Sequence, residues 1–237
     1  PGMRNDLRAY LVLCGLVLAA LLPSALDADF LNFDDNRFFG LQADRPQAER
    51  EALGTSEPDF TGSELAQAGL GGVLDPTERI VDAYLLISHL SLELDRQLFG
   101  QDPLGPHLHS LLLHLLSTGA LLWLLRTLGL DLPRAATAAG LFALHPALDE
   151  SVLWVSGRKD LLSGLFAFLS IGWLVRAVRP EDGVNGSRGR LAALSMLAAL
   201  CAVYAKGTAI VLAPVALVVV FAVGARGRAL LPAVGIA

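Results

Sequence analysis

The sequence predicts an all-α polytopic membrane protein, and three observations carry that expectation. Across 237 residues, 54% are hydrophobic and only 17% charged, with a mean hydropathy of +0.54 that exceeds what ordinary soluble domains show. The apolar residues are gathered into successive long runs, enough for about six to seven spans. The charges are sorted between the polar segments: acids crowd one of them and arginines collect in others. The two cysteines, Cys14 and Cys201, sit inside apolar runs and have neither zinc nor redox spacing. The net charge is −5, and no nucleic acid is expected among the partners.

Arg4 and Arg8 precede the first run, AYLVLCGLVLAALLPSAL. It ends without a clear small-x-small cleavage site, so it reads as an uncleaved span with its N-terminus inside. From Asp27 to Pro106 no run is long and apolar enough to cross, and acids outnumber bases 16 to 5. This 27–106 segment reads as the first extracytoplasmic loop. Within it, PTERIVDAYLLISHLSLELDRQLFG places Ile80, Tyr84, Ile87, Leu90, Leu94 and Leu98 on one helical stripe, with Asp82, His89, Glu93 and Asp95 elsewhere. That pattern predicts a helix lying at the interface.

Further apolar stretches run from Leu108 to Leu125, Ala135 to Leu148, Leu161 to Val178, Leu191 to Ala205 and Ala209 to Val223, with another beginning near Ala229. If the first span runs outward, the turns bearing Arg126/Arg134, Arg176/Arg179/Arg188/Arg190 and Arg226/Arg228 all fall inside, as the positive-inside rule requires. The 27–106 segment, the loop from Leu148 to Asp160, and Lys206 then share the outer side. The first residue is not Met and the last residues stop within an apolar run, so the sequence is expected to be an N-terminal part of a longer protein. Two lysines among 18 basic residues hint at a GC-rich bacterial genome.

The candidate chemistry lies on that outer side. Asp34 and Asp35 stand side by side among aromatics in FLNFDDNRFF. Adjacent carboxylates against an apolar surface suit a general base, and equally a turn or helix cap. In HPALDESVLWVSGRKDLL, Arg158 and Lys159 open a helix with Asp160 and Leu161. Two parallel guanidinium donors, a compact ammonium and helix N-terminal amides fit a phosphate. Both side chains otherwise snorkel, or pair with Glu150 and Asp149. Lys206 is a second phosphate candidate. His145 either orients a carboxylate or phosphate or is a hydrogen-bonded structural residue, and Glu150 is a second acidic group. His107, His109 and His114 do not match a zinc cage.

Three separated pieces, FLNFDDNRFF, LFGQDPLGPHLHSLLLHLLSTGALLW and LFALHPALDESVLWVSGRKDLLSGLF, resemble the transmembrane and tetratricopeptide-repeat O-mannosyltransferases and their bacterial relatives, which are polyprenol-dependent glycosyltransferases of the C-type fold. AKGTAIVLAPV near Lys206 is loosely similar to a further family segment, with Gly207 where the family has Glu or Pro. ERIV around Arg79 stands where YRPL is usual, which leaves Arg79 a supporting residue. The resemblance implies a C-type bundle, with residues 1–237 forming one membrane glycosyltransferase domain continued beyond its C-terminus by repeats. It implies transfer of a single sugar, mannose being expected, from a polyprenyl-phosphate donor to an acceptor protein's Ser/Thr hydroxyl by inverting displacement. It maps the acidic motif onto Asp34, as base, and Asp35, and it implies no metal or other cofactor, the lipid-linked sugar being a substrate. The setting is a bacterial inner membrane, or the ER membrane in a eukaryote, with the active site extracytoplasmic. The rival readings are a transporter of lipid-linked sugar and a non-catalytic scaffold anchoring downstream repeats.

Overall fold

The structure is a computed structural model that describes residues 2–30, 85–179 and 188–226. Asp34, Asp35, Arg79 and the apolar stretch near Ala229 lie outside the described residues. Within them the regular structure is helical: α1 (Gly2–Asp27), α2 (Leu86–Phe99), α3 (Leu104–Thr127), α4 (Leu132–Ala143), the short α5 (Asp149–Leu153), α6 (Arg158–Val178), α7 (Arg188–Ala205) and α8 (Leu212–Arg226). Single 3-10 turns at Pro146–Leu148, Val155–Gly157 and Gly207–Val211 join the later ones.

Among the described residues, four helical segments are long and apolar enough to cross a membrane: Met3–Asp27, Leu104–Thr127, Val155–Val178 and Arg188–Ala205. The protein is an integral membrane protein, and two of the apolar stretches expected to span fall short for local reasons. The apolar stretch from Ala135 to Leu148 does not form one helix. Asp131 caps α4 by accepting a hydrogen bond from the Arg134 amide at 3.0 Å. The helix then stops at Ala143, because Pro146 lacks an amide proton and its ring clashes with the preceding turn. Twelve residues reach about 18 Å, short of the ~30 Å hydrocarbon core. Gly207–Val223 is likewise an apolar helical segment below span length.

Side-chain contacts fix how the helices run. Arg158 at the start of α6 bonds Pro106 and Ser110 near the start of α3, and Gly172 meets Trp123 near both helix ends, so α3 and α6 are parallel. Asp6 pairs with Arg126 and the Tyr10 hydroxyl donates to the Leu115 carbonyl at 3.1 Å, making α1 antiparallel to α3. Ser170 and Ser195 exchange hydroxyl-to-carbonyl bonds of 2.9 Å each way, and Lys206 pairs with Asp160, so α7 is antiparallel to α6. Where no water reaches, such reciprocal bonds satisfy hydroxyls that would otherwise be costly.

The core gathers Val17, Leu21 and Ala25 of α1, Leu111 and Leu113 of α3, Ala143, Val152, Leu161, Leu162 and Ala205. Ala135, Ala139 and Ala143 form a fully packed stripe on α4, while Leu141 on its other side is 70% exposed. Small residues at i, i+4 and i+8 let α4 approach its neighbours closely. Leu11, Leu16, Leu112, Leu116, Met196 and Leu197 are exposed around the bundle, a surface suited to lipid chains.

The bundle thus has two unlike ends. At the lower end lie Asp6, Arg126, Arg134, Arg179 and Arg190; at the upper end lie Asp95, His109, Arg158, Asp160 and Lys206. An open groove of about 630 Å3, lined by Leu7, Tyr10, Leu116, Trp123, Leu165 and Leu169 among others, runs along α1, α3 and α6 toward the lower end. It is almost wholly apolar and is separate from the charged groups above.

Gly172 is buried, and a Cβ there would fall 2.1 Å from the Trp123 ring, which sits edge-on to Trp173 with centroids 6.3 Å apart. We predict that Gly172→Leu destabilises the detergent-solubilised protein by about 1–3 kcal/mol, measured as a lowered thermal midpoint. Gly164→Leu on the same helix, where nothing lies within 4 Å, should leave the midpoint nearly unchanged.

Candidate functional site

The upper end is built from three helix segments that the sequence keeps far apart. α2 is an amphipathic helix turned with its leucines outward: Leu90, Leu94 and Leu98 are 46%, 50% and 64% exposed, while Ser88, Glu93 and Asp95 are buried. The exposed leucines fall on the apolar stripe expected there, and the polar face is turned to the bundle. The Ser88 hydroxyl donates to the carbonyl of Ala205 at 2.9 Å, satisfying one of the unpaired carbonyls at the end of α7. Glu93 accepts from Nε and Nη2 of Arg96 and from Gln97, each at 2.8 Å. The Arg96 guanidinium holds the Glu93 carboxyl below the usual carboxylate range, against the opposing effect of burial.

Arg158, the first residue of α6, is fully buried. Its guanidinium forms an ion pair with Asp95. Nη1 also donates to the Ser91 carbonyl at 3.3 Å and hydroxyl at 3.4 Å, and Nη2 to the Pro106 carbonyl at 2.8 Å and the Ser110 hydroxyl at 3.3 Å. The other oxygen of Asp95 is 2.7 Å from Nδ1 of His109. A carboxylate with 1% exposure thereby joins α2 to α3 and α6 at once. Both Nη atoms of Arg158 thus bond protein groups, and Asp95 of α2 is an acidic partner that the sequence around Arg158 does not reveal.

Gly157, immediately before Arg158, is where this approach is possible. A Cβ there would lie 2.9 Å from the Ser151 Cα and 3.2 Å from the Glu150 carbonyl, backbone atoms that cannot swing aside. The chain leaving α1 arrives at the same place. Phe30 packs with Leu92 and Val155, and its ring centroid is 6.3 Å from that of His107.

The remaining candidates divide into two groups. Lys159 is half-buried, its ammonium 5.8 Å from the centre of the Trp154 ring in a cation–π contact. Lys206 pairs with Asp160, at 34% and 39% side-chain exposure. These groups share the upper end with Arg158. His145 and Glu150 lie on the segment joining α4 to α6 and are exposed. Nδ1 of His145 accepts from the Ala147 amide at 3.2 Å, capping the 3-10 turn. Glu150 opens α5, whose N-terminus favours acids. Asp34, Asp35 and Arg79 lie outside the described residues. Among the described residues no three His, Cys, Asp or Glu side chains come together in a metal-holding group.

Sequence reasoning missed Asp95, His109, Ser91 and Ser110. Asp95 was visible only as one of several acids off the apolar stripe of α2. The usable signal was an obligation at the other partner: an arginine at the start of a packed span needs a buried counter-charge.

No protein-family model and no solved structure matches the chain. It is similar to protein O-mannosyl-transferase Tmtc1 of Drosophila melanogaster, 31% identical over 200 residues that make up 83% of this chain and 21% of that protein. It is similar also to protein O-mannosyl-transferase tmtc2 of Xenopus laevis, 32% identical over 165 residues, or 65% and 18% of the two chains. The chain spans about a fifth of the length of these curated relatives.

Removing one partner of a buried ion pair strands the other charge. We predict that Asp95→Ala destabilises the protein by about 3–5 kcal/mol, whereas the double replacement Asp95→Leu with Arg158→Met recovers most of that loss. Thermal midpoints of the two variants in the same detergent provide the comparison.

Proposed function

The chain is a homologue of the transmembrane and tetratricopeptide-repeat O-mannosyltransferases, and from that relation we propose that it takes part in protein O-mannosylation at the upper end of its bundle. In this reading a single mannose passes from a polyprenyl-phosphate donor to a Ser/Thr hydroxyl of an acceptor protein, with inversion at the sugar carbon. The observation that carries it is the sorting of ionisable groups. Lys159 and the Lys206–Asp160 pair stand at one end of a bundle whose opposite end is rich in arginine, as the positive-inside rule asks of a cytoplasmic end. In this reading the site faces the extracytoplasmic side, in a bacterial inner membrane or, in a eukaryote, the ER membrane. In the full-length protein, helix-pair repeats of about 34 residues are expected to follow.

Asp34 takes the proton of the acceptor hydroxyl as the oxygen attacks the sugar, and Asp35 positions it or contacts the sugar. Phe30 stands at the upper end and precedes Asp34 by four residues, a length of chain that extends no further than about 14 Å. The departing polyprenyl phosphate gains negative charge, which preorganised cations stabilise. Lys206 and Lys159 fit that role because their ammonium groups are part-exposed. The Lys206–Asp160 pair, half-solvated, is weak enough to exchange for a phosphate. Arg158, with Asp95, orders the rim on which those lysines stand, and Arg79, His145 and Glu150 support it. The lipid-linked sugar is a substrate, so the reading requires no resident cofactor.

Asp34→Asn in membranes holding the full-length protein should lower transfer from radiolabelled mannosyl polyprenyl phosphate by about 10²–10⁴-fold, the usual weight of a general base. Undiminished transfer in that variant, or none by the unsubstituted protein, would sink the reading. Lys206→Ala should instead raise the donor concentration needed for half-maximal rate.

A further inference from the structure

We propose that His109, held in place by Asp95, recognises a hydroxyl group of a substrate at the upper end of the bundle. The inference rests on the transferase reading for the identity of the substrates, but its geometry is independent of it. Nδ1 of His109 is 2.7 Å from an oxygen of Asp95, and an ionised carboxylate only accepts hydrogen bonds. A proton shared between them sits on Nδ1, and in the tautomer so fixed a neutral ring has its lone pair on Nε2. Nε2 makes no hydrogen bond among the described residues and is not enclosed. The His109 side chain is 26% exposed, whereas the carboxylate behind it is 1% exposed.

Asp95 already has a sufficient purpose in compensating Arg158, to which it is bound through its other oxygen. Its bond to His109 adds orientation: it fixes ring rotation and tautomer, as carboxylates behind metal-bound or catalytic histidines do. A ring so fixed offers an acceptor at a defined point. Its complement is a donor with little charge, and among the components of sugar transfer that is a hydroxyl. Lys159 and Lys206 at the same end carry the charge suited to the phosphate. Two sources supply the hydroxyl, the sugar of the donor and the side chain of the acceptor, and they are separable.

The experiment uses purified full-length protein titrated with mannosyl polyprenyl phosphate in one arm and a Ser/Thr-rich peptide in the other. His109→Asn retains an amide donor where Nδ1 bonds Asp95 and deletes the acceptor at Nε2. We expect it to weaken one probe by about three- to tenfold, the weight of one uncharged hydrogen bond, with the thermal midpoint unchanged. Loss in the donor arm assigns the sugar hydroxyl, and loss in the peptide arm assigns the acceptor. His109→Gln, whose carbonyl oxygen reaches nearer to the Nε2 position, should recover part of the loss. Equal affinities in the unsubstituted protein and the Asn variant overturn the role of His109 and leave the transferase reading standing. Failure of the unsubstituted protein to bind either probe overturns both.

Discussion

A guanidinium buried at the end of a helical bundle sets the terms for everything around it. Arg158 is fully enclosed, and an enclosed cation is tolerated only with a counter-charge and with its donors occupied. Asp95, Ser91, Pro106 and Ser110 supply the counter-charge and occupy both Nη groups from α2 and α3. Satisfying one residue thus fixes the height of α2 against the bundle, the parallel register of α3 with α6, and the point at which the chain turns through Gly157. The part-exposed charges beside it, Lys159, Asp160 and Lys206, inherit their positions from that arrangement.

Periodicity and hydropathy made the long helices legible, because a span must satisfy its backbone internally and so announces itself as an apolar run of defined length. The amphipathic character of α2 was equally legible from Leu90, Leu94 and Leu98. The fate of the Ala135 to Leu148 run was not read, although His145-Pro146 was in view. Hydropathy sums apolar residues without regard to whether the backbone continues, and there the proline decided the outcome. At the site, composition identified which residues were chemically capable, but pairing is a property of tertiary distance. Nothing local to GRKD distinguishes an arginine facing a substrate from one locked to Asp95.

The relation to the O-mannosyl-transferases and the placement of charges bear on each other. Similarity covers 83% of the chain, including α3 and the start of α6, where the polar contacts concentrate. The bundle gathers polar groups at its upper end while keeping its flanks apolar. The apolar groove along α1, α3 and α6 belongs to the flanks, since its lining offers almost no polar atoms.

The outward turn of the α2 leucines has a mechanical implication. The acid that neutralises Arg158 rides on a helix whose opposite surface is a row of exposed leucines. Whatever medium Leu90, Leu94 and Leu98 meet therefore bears on the depth at which Asp95 sits, and the choice of lipid or detergent becomes a variable of the same standing as any residue in the cluster.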